Sequence, residues 1–224
     1  MKLPKTSKPI ILTALSPLDE AVTAFKNNGV IAYPTETFYG LGVDPFNEKA
    51  VERLFSLKGR EKGCPPQGKP VSLIIKDRAM LGLVAGVVPA VAELLIKKYW
   101  PGPLTIIFKA HAGVPSSVTG GTGTVGVRVS SNEAAQRLVD ALSSPITATS
   151  ANPSGSPAPV AASEVLGYFN GRIDVLIDGG CTPGGGCTPG KGGSTIVDVT
   201  GEKIRIIRKG AIPSEEILKG LTGY

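Results

Sequence analysis

Short apolar runs rich in valine and isoleucine alternate along this chain with segments of helical periodicity, and this alternation restricts the fold more than any other feature. Ser16-Pro17 followed by Leu18, Ala21, Val22 and Phe25 predicts a capped amphipathic helix ending near Gly29, after which residues 30–33 read as a buried strand. A second helix is expected from Asn47, with Val51, Leu54 and Phe55 on its apolar face and Gly59 as its terminator. Residues 71–76, 104–109 and 125–129 are strand candidates, with helices near 77–85 and 89–99 between the first two. Ser130 and Glu133 have capping-box spacing for a helix reaching about Leu142. Residues 146–149, 174–178, 195–199 and 204–208 complete the expected strands. The fold class that follows is α/β, a twisted mixed sheet flanked by helices.

The 224 residues, 42% of them hydrophobic, suffice for one substantial core, and no charge run or low-complexity spacer divides them. A single domain is expected over residues 1–224, with its core at about 16–212. Lys and Arg number 24 against 18 Asp and Glu, a formal net charge of +6 that is dispersed along the chain. Such a field attracts nucleotides or RNA and is also common in proteins that bind neither. The uncharged, apolar-rich stretch 79–92 contains Gly82, Gly86 and Pro89 and falls short of the roughly 20 apolar residues of a membrane span, so a buried helix pair and no membrane attachment are expected. Pro4, Pro9 and Pro17 leave no signal core near the N-terminus. The expected compartment is the cytoplasm, with organellar import left open. Cys64, Cys181 and Cys187 are too few for a disulfide framework, and His111 is the only histidine, so the repeated Cys-Thr-Pro-Gly at 181–184 and 187–190 reads as a loop and not as a metal centre.

Two strings about ninety residues apart combine into an anion site: Lys58-Gly59-Arg60 at a helix end and Ser150-Ala151-Asn152 after a strand. A guanidinium fork, a point charge and two small hydrogen-bonding side chains are the groups a polyphosphate needs. Each string alone also fits a plainer role, the first as a solvated helix C-terminus and the second as a turn before Pro153.

Tyr33-Pro34-Thr35-Glu36-Thr37-Phe38-Tyr39-Gly40-Leu41-Gly42 resembles the opening motif of the YrdC family, the threonylcarbamoyl-AMP synthases that make the activated intermediate for threonylcarbamoyladenosine in tRNA. Further matches follow in order: Lys58-Gly59-Arg60, Trp100-Pro101-Gly102-Pro103-Leu104-Thr105, Val127-Arg128-Val129, Ser150-Ala151-Asn152-Pro153-Ser154-Gly155, Ser194-Thr195-Ile196-Val197-Asp198 and Arg208-Lys209-Gly210. The resemblance implies a wide basic groove that takes ATP, L-threonine and bicarbonate. It implies that Lys58, Arg60, Ser150 and Asn152 surround the triphosphate and its Mg2+, with Lys69, Thr124, Ala158 and Arg208 as further nucleotide contacts. For threonine it implies Thr35, Arg128 as the carboxylate partner, the backbone of Ala148, and Ser194. No protein metal ligand is expected. Transfer of an adenylyl group needs alignment and charge stabilisation rather than an imidazole base, which suits a chain whose one histidine sits in a loop. Trp100 is expected to pack and not to stack on a base.

The match departs from the family in places. Arg60 is followed by Glu61 and a longer loop to Lys69-Pro70; Ile74 replaces a threonine-contacting histidine, and Ala158 a nucleotide-contacting serine. The glycine-rich 179–193 stretch is expected to act as a lid over Ser194. The chain ends soon after Arg208, which is expected of the short form whose product passes to separate threonylcarbamoyl-transfer proteins. Two alternatives stand beside the synthase: a double-stranded RNA or tRNA binder without catalysis, and carbamoyl-phosphate chemistry as in hydrogenase maturation.

Overall fold

The computed structural model describes residues 8–59, 70–183 and 192–220. Its elements begin with β1 (Ile10–Thr13), α1 (Asp19–Lys26), β2 (Ile31–Tyr33), β3 (Gly40–Gly42), α2 (Glu48–Leu57) and β4 (Leu73–Ile74). A 3-10 turn at Met80–Leu83 leads to α3 (Ala90–Tyr99), β5 (Leu104–Lys109), α4 (Ser116–Thr119), β6 (Thr124–Arg128), α5 (Glu133–Leu142), β7 (Ile146–Thr147) and β8 (Thr149–Ser150). Then come α6 (Ala162–Phe169), β9 (Val175–Asp178), β10 (Thr195–Asp198), β11 (Arg205–Arg208) and α7 (Ser214–Lys219).

The strands form two mixed sheets where one was expected. One runs β1-β9-β2-β3-β8, and the other β11-β10-β5-β6-β4-β7. Both combine parallel and antiparallel neighbours, such as β2 parallel to β9 but antiparallel to β3, and β5 parallel to β10 but antiparallel to β6. The chain passes from one sheet to the other at Ala148, between β7 and β8. Thr147 ties this corner to β3, exchanging bonds with the backbone of Val43 and giving its hydroxyl to the Leu41 carbonyl. Gly42 must be glycine here: a Cβ would run into the side chain of Ile146 and come within 2.7 Å of the Tyr33 ring. The main core includes Leu41, Leu54, Leu73, Ile106, Phe108, Val125, Val127 and Phe169, and a smaller cluster packs α1 and α5 against Ile31, Tyr33 and Ile146.

Local signals decided some helix ends and not others. The helix expected from Asn47 forms as α2, and Asn47 proves to be its cap, its side chain accepting from the Lys49 and Ala50 amides. Ser16 does not cap α1; its hydroxyl closes a turn on Thr13, and the helix starts at Asp19 without a side-chain cap. The cap of α5 is Asn132 and not Ser130, whose hydroxyl is drawn away to Glu36. At 77–85 only the 3-10 turn forms, consistent with the low helix propensity of Gly82 and Gly86. The pair of buried helices expected over 79–92 is therefore this turn and α3, with Leu83 and Val87 exposed. Of residues 71–76 only Leu73 and Ile74 join a ladder. Trp100 packs against the core and donates its indole N–H to the Leu104 carbonyl at 2.7 Å. Among the described residues no helix is long and apolar enough to cross a membrane.

Candidate functional site

The two sheets flank a groove of about 400 Å³ beside the Ala148 corner. Residues alternate across a strand, so the face of β6 opposite buried Val125 and Val127 carries Arg128 into the wall of this groove. On the next strands Ile196 is in register with Thr105 on one side and Arg208 on the other, which sets these three in a row along the groove. The loop from β2 to β3 contributes Thr35 and Thr37, and β8 contributes Ser150, in register with Gly40.

Ser194 lies between Thr105 and Arg208. Its hydroxyl is 2.8 Å from Thr105 Oγ1, its carbonyl accepts from Arg208 Nε and Nη2 at 3.0 and 2.7 Å, and Nη2 also reaches its hydroxyl at 2.9 Å. This clasp requires Gly210, because a Cβ there would collide with the Gly193 carbonyl and the backbone of Ser194 and Thr195. Burial, and then the like charge of Arg128, hold the Arg208 guanidinium below its ordinary value. Two guanidiniums therefore act on one groove. Arg128 is itself paired: Nη1 is 2.9 Å from Glu36 Oε1, and both side chains are nearly buried.

The structure brings Lys58, Ser150 and Asn152 together, as the sequence strings suggested, but in an unexpected arrangement. Lys58 is 2% exposed, and its ammonium donates to the Ser150 carbonyl at 2.5 Å and to Asn152 Oδ1 at 3.1 Å. Asn152 in turn donates to the Ser156 carbonyl. Ser150 lies on the groove wall; Lys58 and Asn152 brace the segment behind it. Thr35, Ala148, Ala158 and Ser194 also line the groove, and Ala148 donates its N–H to Ser72. Thr124 opens β6, four residues before Arg128, hence about 13 Å along the strand, and its hydroxyl meets that of Thr122 at 2.8 Å. Arg60, Lys69 and most of the proposed 179–193 lid lie outside the described residues.

Reading by motif missed Thr105, Thr37 and Glu36 as contributors. Glu36 had a signal, being the only charged residue from Val30 to Val43. Tyr39 is another: its hydroxyl donates to the Gly180 carbonyl at 2.7 Å and accepts from the Gly179 amide at 3.1 Å, joining the groove to the end of β9. Among the described residues no group of three or more His, Cys, Asp or Glu could hold a metal ion. The oxygen donors on the wall are hydroxyls and carbonyls, which suit a Mg2+ delivered on a polyphosphate better than a protein cage.

Residues 23–210 match the family Sua5_yciO_yrdC, described as "Telomere recombination". A Pyrococcus abyssi protein named threonylcarbamoyl-AMP synthase is 40% identical over 190 residues, 85% of this chain and 53% of that protein. The chain thus spans about half the length of this relative. The crystal structure of Pyrococcus abyssi Sua5 complexed with L-threonine superposes with a TM-score of 0.84 at 37% identity, covering 95% of this chain and 61% of that one. Escherichia coli YciO gives 0.79 at 28% identity, covering 95% and 100%.

Proposed function

The chain belongs to the Sua5/YciO/YrdC family, and from that premise we propose that it is an L-threonylcarbamoyladenylate synthase, a nucleotidyltransferase acting on ATP, L-threonine and bicarbonate. The observation that carries the reading is the meeting of Arg128, Arg208, Ser194, Thr35 and Ser150, drawn from five separate parts of the chain, on one groove. Sua5 from Pyrococcus abyssi, whose fold this chain shares, was solved with L-threonine.

In this reading the threonine amine combines with bicarbonate to give a carbamate and water. A carbamate oxygen then attacks the α-phosphorus of ATP, the bond to the β-phosphate oxygen breaks, and pyrophosphate leaves with the electron pair. Arg128 holds the threonine carboxylate beside Thr35 and Ser194, because a guanidinium fork matches a carboxylate. Arg208 faces the phosphates, while Lys58 and Asn152 fix the backbone that presents Ser150; Arg60 and Lys69 enter the reading as nucleotide contacts through the family resemblance alone. Ser150 is the wall residue of this set that would lie beside a Mg2+ carried by the triphosphate, which would supply charge neutralisation. The protein's own share is alignment and electrostatics. The product would pass to separate proteins for transfer to adenosine in tRNA.

The test is pyrophosphate release from purified protein with ATP, Mg2+, bicarbonate and L-threonine, omitting each in turn. Release that requires both threonine and bicarbonate is expected. Release that ignores threonine, or none while ATP binds, would overturn the assignment.

A further inference from the structure

Glu36 sits between two groove residues, Thr35 and Thr37, and is not itself among the residues that line the groove, but it pairs with Arg128, which is. Its side chain is 9% exposed; Oε2 accepts the Ser130 hydroxyl, and Oε1 lies 2.9 Å from Arg128 Nη1 without forming a hydrogen bond. It therefore acts on Arg128 as a charge more than as a directional anchor. Arg128 Nη1 is 3.4 Å from the Thr37 hydroxyl, which leaves Nε and Nη2 with no partner among the described residues. Arg208 has the opposite arrangement: its donors go to the neutral oxygens of Ser194, and no acid pairs with it among the described residues. One groove thus holds a neutralised guanidinium and an unneutralised one.

Resting on the reading above, we propose that Glu36 is a specificity-determining residue whose buried charge reserves Arg128 for a monovalent carboxylate and leaves polyphosphate to Arg208. Two bare guanidiniums in one groove would compete for the same anion. The attraction of a site scales with the ligand's charge, so cancelling one positive charge weakens a polyphosphate far more than a carboxylate. The arrangement also limits product inhibition, because pyrophosphate cannot gain full strength at the amino-acid subsite.

The experiment is calorimetric titration of the full chain with pyrophosphate and, separately, L-threonine. Glu36→Gln should tighten pyrophosphate about tenfold and threonine only about twofold, in line with their charges. Adding Arg128→Gln should abolish the pyrophosphate gain. Unchanged pyrophosphate affinity in a folded Glu36→Gln protein, or a gain that survives loss of Arg128, overturns the proposal. A second comparison leaves Glu36 intact: Arg208→Gln should weaken pyrophosphate about tenfold and Arg128→Gln about twofold at most, and equal losses overturn the division of roles. Pyrophosphate binding does not depend on threonine being the substrate. A failed synthase assay with these pyrophosphate results intact would refute the reaction and leave the charge division standing.

Discussion

Lys58→Met tests whether this lysine braces the site or touches the phosphates. The ammonium is 2% exposed and serves the Ser150 carbonyl and Asn152 Oδ1, while the Lys58 carbonyl accepts from the Ser154 amide at 3.0 Å. Methionine keeps the unbranched stem and its packing but removes the donor, so two interior acceptors lose a charged partner. A stranded buried group costs about 1–3 kcal/mol, which puts the variant about 3 kcal/mol below the parent. For a chain of this size that is a fall in Tm of about 6–12 °C. Thermal unfolding by circular dichroism, with and without ATP, reads it directly. Coupling to Asn152 gives a second reading: Lys58→Met and Asn152→Ala should be non-additive by about 1–2 kcal/mol, because they share one bond. A Tm within about 2 °C of the parent, together with lost ATP affinity, would refute the brace and make Lys58 a phosphate contact.

Gly210→Ala forces a Cβ onto the Gly193 carbonyl and the Ser194 backbone, so it should displace Arg208 and raise the KM for ATP about tenfold or more in initial-rate kinetics; an unchanged KM would show that the clasp is dispensable. Burial raises the phenol of Tyr39 to about 12 and that of Tyr33 further still. Both phenols keep their protons more tightly in the folded state, so their contribution to stability is fully present below pH 10 and declines as pH rises through about 10–12. Melting curves across that window should show a steeper loss in the parent than in Tyr39→Phe; parallel curves would count against the buried phenol.

The helix over 48–57 was legible because all its determinants are local: an Asn cap, an apolar stripe and a glycine with φ 65° after its end. The groove-facing side of Arg128 was legible for the same reason, since alternation along a strand needs no knowledge of its neighbours. Ser130 and Ser16 were misread as caps because each hydroxyl found a partner that the spacing rules do not weigh, Glu36 across 94 residues and Thr13 in the preceding turn. Strand β3, with two glycines in three residues, has no strand propensity to read; it exists because Gly40 and Leu41 pair with Ser150 and Thr149.

What the amino-acid order determined by itself is the alternation of elements, the excess of positive charge and the set of strings able to bind anions, since each depends on residues a few positions apart. The tertiary structure alone decided which charges meet. It set Glu36 behind Arg128, turned Arg208 onto Ser194, and used Lys58 to hold Asn152 and the Ser150 backbone. The reason is that charge pairing and steric contact fall off within a few ångströms, and only the packing of two sheets around the Ala148 corner brings residues so distant in the chain within that reach.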